Sequence, residues 1–125
     1  METNLNSGQI EIKGPYGSVF LYTHDLAHNI LHIVHDVLNR KTKWDDPDYL
    51  SRMLFCKLVP PEFWNSDKGF GIGTQMYHDI KLLITIDTVF NKIVITNFEM
   101  QGAFGRSLHY DFENFIESFT NGATL

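Results

Sequence analysis

Two runs of β-branched and aliphatic residues, Lys81 to Asp87 and Asn91 to Phe98, stand only a few positions apart. So short a gap cannot carry a crossover, so the two runs must turn back on one another as an antiparallel hairpin. Their Ile, Val and Thr content places them at the centre of a sheet. Upstream, Ile10 and Ile12 alternate with polar residues over Gln9 to Lys13, Gly14-Pro15-Tyr16-Gly17 supplies a turn signal, and Ser18 to Tyr22 resumes as an apolar strand. This predicts a second hairpin opening the chain.

Helical spacing accounts for most of the remainder. Thr23 is a candidate cap for a helix running to about Arg40, with Leu26, Ile30, Ile33, Val34, Val37 and Leu38 on its apolar face. Asp46-Pro47 marks a second start, an N-cap oxygen followed by a proline suited to the first helical position. Leu50, Met53, Leu54 and Leu58 follow at helical spacing until Val59-Pro60-Pro61 ends the run. Phe70-Gly71-Ile72-Gly73 reads as a short extended piece in which the glycines allow close backbone approach. Tyr110 to Phe119 reads as a third, Phe-rich helix. The predicted fold class is α+β, a mainly antiparallel sheet of four to five strands with two to three packed helices. It forms one domain over residues 1–125, with residues 1–8 as a flexible polar tail.

The composition, 43% hydrophobic with ten Phe, is that of a folded core. The single cysteine, Cys56, excludes an intramolecular disulfide, and its apolar surroundings predict a small buried hydrophobe. A net charge of −5 makes the molecule repel phosphate backbones, which argues against sequence-independent nucleic-acid binding. The basic cluster Arg40-Lys41-Lys43 suits the negative end of the first helix. Neither a secretory leader nor an apolar stretch near the ~20 residues that span a bilayer is visible, so the expected address is the cytosol, with no membrane partner.

The sharpest chemical feature is a stripe of imidazoles. His24, His28, His32 and His35 fall within about an 80° arc if the first helix includes them all. His28 and His32 are four apart and so suited to hold one Zn²⁺ or Ni²⁺ from a single face, with His24 or His35 in reach of a third bond. The stripe lacks the glutamate of a His-Glu-x-x-His motif, since Asn29 follows His28, and no paired cysteines complete a structural site. No nucleophile elbow or phosphate-binding loop appears: Gly69 to Gly73 carries neither the lysine nor the following hydroxyl of a P-loop. No catalytic residue is therefore assigned.

Leu21-Tyr22-Thr23-His24, Trp44-Asp45-Asp46-Pro47-Asp48-Tyr49-Leu50-Ser51-Arg52 and Gly69-Phe70-Gly71-Ile72-Gly73 together resemble a family of small uncharacterised proteins of bacteria and their phages. The family pattern is a strand ending in Tyr-Thr-His, a tryptophan-aspartate turn, a helix with Tyr-Leu-Ala-Arg and a Gly-Tyr-Gly-Ile segment. The resemblance spans roughly Ser18 to Asp87. Ser51 stands where the pattern has alanine and Phe70 where it has tyrosine, and Asp25-Leu26-Ala27 departs from it after His24. The family implies a shared fold and a shared site, and brings no activity with it.

The resemblance singles out His24, with Arg52 as its companion. A helix-borne guanidinium near Tyr49 and Trp44 offers bidentate anion contacts and aromatic faces to a nucleotide-like ligand, with Gly71 and Gly73 providing main-chain approach. The plainer alternative has Trp44 and Tyr49 packing the start of the second helix and Arg52 pairing with Asp45 or Asp48. The sequence-level expectation is a non-enzymatic binding or accessory protein of a phage or mobile element. It would need no cofactor, and would sequester a small anionic ligand or block a host protein. The Phe-rich C-terminal helix is a candidate homo-oligomer surface. The enzymatic alternative is a zinc- or histidine-dependent hydrolase using His24, His28 and His32.

Overall fold

The computed structural model describes residues 7–23, 27–59, 70–76, 80–98 and 106–119. The elements in chain order are β1 (Gly8–Gly14), β2 (Gly17–Thr23), α1 (Ala27–Leu38), α2 (Pro47–Leu58), β3 (Phe70–Gly73), β4 (Leu82–Asp87), β5 (Lys92–Asn97), β6 (Arg106–Asp111) and α3 (Phe112–Phe119). Of the tail expected over residues 1–8, Ser7 and Gly8 are buried, and Gly8 opens β1.

Both predicted hairpins form. β1 pairs with β2 from Gly8 opposite Thr23 to Gly14 opposite Gly17, and β4 pairs with β5 from Leu82 opposite Asn97 to Asp87 opposite Lys92. Gly17 has φ +144°, a conformation that a side chain disfavours and that lets the chain reverse over Pro15 and Tyr16. The two hairpins join side by side through β1 and β4, which run parallel with Ile10 beside Ile84 and Ile12 beside Ile86. The sheet has six strands in the order β3-β2-β1-β4-β5-β6, one more than the largest number predicted, and every other neighbouring pair is antiparallel.

The added strand is β6. Leu108 and Tyr110 alternate with His109 and Asp111, so the segment pairs with β5, Leu108 opposite Ile95 and Tyr110 opposite Ile93. The third helix therefore begins at Phe112, two residues later than its apolar spacing predicts. Asp111 closes the strand and caps the helix, its Oδ1 accepting from the Asn114 backbone N–H at 2.7 Å.

Register puts Ile10, Ile12, Leu21, Ile84, Ile86, Ile93 and Ile95 on one face of the sheet, all but fully buried, and the three helices cover that face. α2 follows its sequence signals closely. The Asp46 Oδ1 accepts from the Tyr49 N–H at 3.0 Å, Pro47 takes the first turn, and Leu50, Leu54 and Leu58 form its buried stripe. Cys56 lies about 200° around the helix from Leu54, so it is exposed, against the buried role its apolar neighbours predicted. α1 ends at Leu38, and Thr23 does not cap it. That residue belongs to β2, is buried, and its Oγ1 has no hydrogen-bond partner among the described residues.

The opposite face carries no described helix. Its rows mix polar and β-branched residues with Phe20, Tyr22 and the buried Gln9 and Leu83; Glu11 accepts from Ser18 Oγ at 2.7 Å and from Thr85 Oγ1 at 3.2 Å, and Thr96 is bonded to Ser107 at 3.1 Å. Lys13, Asp87, Lys92 and Asp111 succeed one another across four strands as alternating charges, a pattern suited to water. Among the described residues no helix is long and apolar enough to cross a membrane.

Candidate binding surface

The imidazole stripe divides by neighbourhood. His35 is half-buried and reaches α3, where its Nε2 lies 3.1 Å from the Ile116 carbonyl oxygen. A carbonyl can only accept, so Nε2 carries the proton and the ring ties α1 to the last turn of α3. Its Nδ1 stands 3.9 Å from the Asp36 carboxylate, and its ring lies 6.3 Å from that of Phe115. His32 is exposed to solvent, one turn away. His28 lies in α1 with its side chain outside what is described, and His24 falls outside the described residues altogether. Among the described residues no group of three or more His, Cys, Asp or Glu is placed to hold a metal.

Trp44, Tyr49 and Arg52 surround the start of α2 but do different things. Trp44 Nε1–H donates to the Leu38 carbonyl at 2.9 Å, closing the end of α1, and its ring meets Phe112 edge-on at 5.2 Å. The tryptophan is thereby a clasp between α1, α2 and α3. The Tyr49 ring is half-buried and carries two cations, Lys43 Nζ at 5.0 Å and Arg52 Cζ at 6.0 Å from its centroid. Arg52 is exposed and forms no ion pair with Asp45 or Asp48 among the described residues. Lys41 and Lys43 both sit at positive φ, 53° and 54°, a region that costs a residue with a Cβ about 1–2 kcal/mol, so the α1–α2 connection is held under strain.

Gly71 and Gly73 do not join this group. They lie opposite Tyr22 and Phe20 in β2, and therefore on the sheet face turned away from α2. A Cβ added at either would meet nothing within 4 Å, so neither is a glycine for lack of room. Gly14 is the contrasting case: a Cβ there would stand 3.0 Å from Pro47 Cγ, so the opening hairpin is pressed against the first turn of α2.

That contact leads to a surface the sequence reading missed. The β1–β2 turn and the β4–β5 turn are neighbours at one end of the sheet, tied by the Thr88 N–H and Oγ1–H, which donate to the Lys13 carbonyl at 2.9 and 2.8 Å. On the first tip Tyr16 is fully exposed; on the second Phe90 is 71% and Val89 48% exposed. The Asp87 Oδ1 holds the second tip by accepting from the Val89 and Phe90 N–H groups at 3.0 and 3.1 Å. Beside the tips, between the first hairpin and α2, opens a cleft of about 500 Å³ walled by Pro15, Tyr16 and Pro47, with Asp45, Asp48 and Ser51 along its α2 side. The available signal was an aromatic or aliphatic residue in a tight turn, where small polar residues are the rule. Comparison with known protein families, curated proteins and solved structures finds no match to this chain.

Proposed function

We propose that the chain is a non-enzymatic binding module that takes a protein partner at the hairpin end of its sheet. The carrying observation is that Tyr16, Val89 and Phe90 project from two hydrogen-bonded turns without burying themselves. Exposed apolar side chains grouped on a rigid frame are the usual mark of an interaction site, and aromatics anchor such interfaces at low entropic cost. The second tip is held by the Asp87 carboxylate and the two turns are tied through Thr88 and Lys13, so little ordering is needed on docking. The role in a phage or mobile element, blocking a host protein, belongs to this proposal and rests on the three resembling stretches alone.

Peptide-library selection against the whole chain tests the reading. Selected peptides are expected to perturb the amides of residues 14–19 and 87–91. They should lose at least about tenfold in affinity for a Tyr16→Ser, Phe90→Ser double variant whose stability is unchanged. Peptides that map elsewhere, or bind that variant as well, overturn it.

A second reading, a small anionic or nucleotide-like ligand, draws on Lys43 and Arg52 over the Tyr49 ring. Two cations beside an aromatic face suit a phosphate attached to a planar base. Thermal-shift screening with nucleotides should then give a stabilisation that Arg52→Ala abolishes while the variant keeps its own midpoint. No shift with any nucleotide removes this reading.

A further inference from the structure

We infer that the cleft beside the β1–β2 turn receives a guanidinium group, the side chain of an arginine borne by the docking partner. This inference rests on the docking reading above and specifies the chemistry of its partner. Three features of the cleft point to a planar cation. Asp45 and Asp48 both line it, and none of its lining residues is Lys, Arg or His, so no cationic side chain within it balances the two carboxylates. Neither carboxylate forms an ion pair among the described residues. The nearest cations in sequence, Lys43 and Arg52, are turned to the Tyr49 ring.

The walls supply the second element. Pro15, Tyr16 and Pro47 present flat apolar surfaces, and the Tyr16 ring is fully exposed at the mouth. A guanidinium stacks on such surfaces while directing its edge N–H donors at carboxylates, a combination an ammonium group lacks. The cleft is held in shape from both sides. Gly14 packs so closely on Pro47 that a Cβ, 3.0 Å from Pro47 Cγ, would make the proline give way by a few tenths of an ångström, and Asp46, not Asp45 or Asp48, caps α2. Neither lining carboxylate caps α2 or pairs with a described cation, and Asp48 stands in the first turn of α2, toward the helix's positive end. A volume of about 500 Å³ exceeds one arginine side chain and leaves room for its neighbours on a partner strand or loop.

The contrast with Ser18 supports the assignment to the α2 side. Its hydroxyl is engaged by Glu11 on the opposite sheet face at 2.7 Å. The polar groups left to a ligand are then the two aspartates and Ser51. The partner that fits is a segment with an arginine flanked by apolar residues, its apolar part meeting Tyr16, Val89 and Phe90.

The probe is N-acetylarginine methylamide, titrated into the isotopically labelled full chain and followed by amide chemical shifts, with the citrulline analogue as a neutral control of the same shape. Saturable shifts are expected in residues 14–19 and 45–51, at least about tenfold weaker in an Asp45→Asn, Asp48→Asn double variant and absent with citrulline. Far-UV circular dichroism checks that the variant folds, as two exposed side chains outside the cap predict. Four results overturn the inference: no saturable shift, equal shifts with citrulline, undiminished binding by the double variant, or shifts centred on Tyr49 and Arg52. If the probe fails while selected peptides still depend on Tyr16 and Phe90, the guanidinium assignment falls and the docking reading stands. If the probe binds as expected and peptides ignore the tips, the cleft binds a small cation and the docking reading falls, taking with it the partner-borne arginine.

Discussion

Phe115→Ala should lower the free energy of unfolding by about 3–5 kcal/mol, a large part of the ~5–15 kcal/mol that holds a domain of this kind together. Phe115 is completely buried in the last helix and lies 5.1 Å from the Phe119 ring, 6.2 Å from Tyr110 and 6.3 Å from His35. It therefore joins α3 to β6 and to α1 at once. Eight residues of helix have no stability of their own in water, so α3 exists because this ring docks it together with Phe112, Ile116 and Phe119. The truncation removes the buried aromatic surface and leaves a cavity bordered by three elements, which cannot all relax inward. Urea unfolding followed by far-UV circular dichroism measures the loss, with Phe90→Ala, exposed on its hairpin tip, as a control expected within about 0.5 kcal/mol of the parent. A loss below about 1 kcal/mol for Phe115→Ala would show that α3 is not seated as described.

Trp44→Ala should cost about 2–4 kcal/mol and should do so without any ligand present. Half-buried truncation of a large aromatic accounts for most of it. Loss of the 2.9 Å bond from the indole N–H to the Leu38 carbonyl, which keeps the Lys41 N–H at 3.0 Å, adds about 1 kcal/mol. The clasp holds the end of α1 against the start of α2 and meets Phe112 edge-on at 5.2 Å, so its removal loosens three helices together. Trp44→Phe keeps the ring contact and loses the hydrogen bond, and is expected to fall by about 1 kcal/mol only. If Trp44 instead served only as a platform for a ligand, the alanine variant would unfold with the parent midpoint in the absence of ligand. The same urea titration separates the two roles.

Features encoded over short spans were legible in the sequence. The two hairpins follow from alternation and turn chemistry, and α2 from Asp46, Pro47 and the Leu50, Leu54, Leu58 stripe. What joined the pieces was not legible. The parallel contact of β1 with β4 carries no local signature, because any two apolar strands of suitable length could pair there. β6 escaped for a related reason. Only Leu108 and Tyr110 face inward, and the helical spacing of Phe112, Phe115, Ile116 and Phe119 overlaps its end.

The same limit governed the candidate site. A helical wheel places His32 and His35 on one arc, but the arrival of α3 beside His35 makes that residue a partner for the Ile116 carbonyl, while His32 stays in solvent. Trp44, Tyr49 and Arg52 are close in sequence and remain close in space, yet the indole is committed to Leu38 and the guanidinium lies over Tyr49. Gly71 and Gly73 fell on the far face because period-two alternation in β3 places them opposite Tyr22 and Phe20, not Leu21. The exposed tips were visible only as turns, since turn propensity says where a chain reverses and not what it presents.

The side-by-side seating of Ile10 on Ile84 has a consequence for biogenesis. The innermost strand pair unites the beginning of the chain with a segment made after both long helices, so a nascent polypeptide emerging from the ribosome has no complete core until β4 is out. Until then β1 keeps the strand edge that β4 will cover unpaired, the moment at which this protein is most exposed to misassociation. Placing a stall site before β4 should leave the arrested chain protease-sensitive, and moving it beyond α3 should restore resistance.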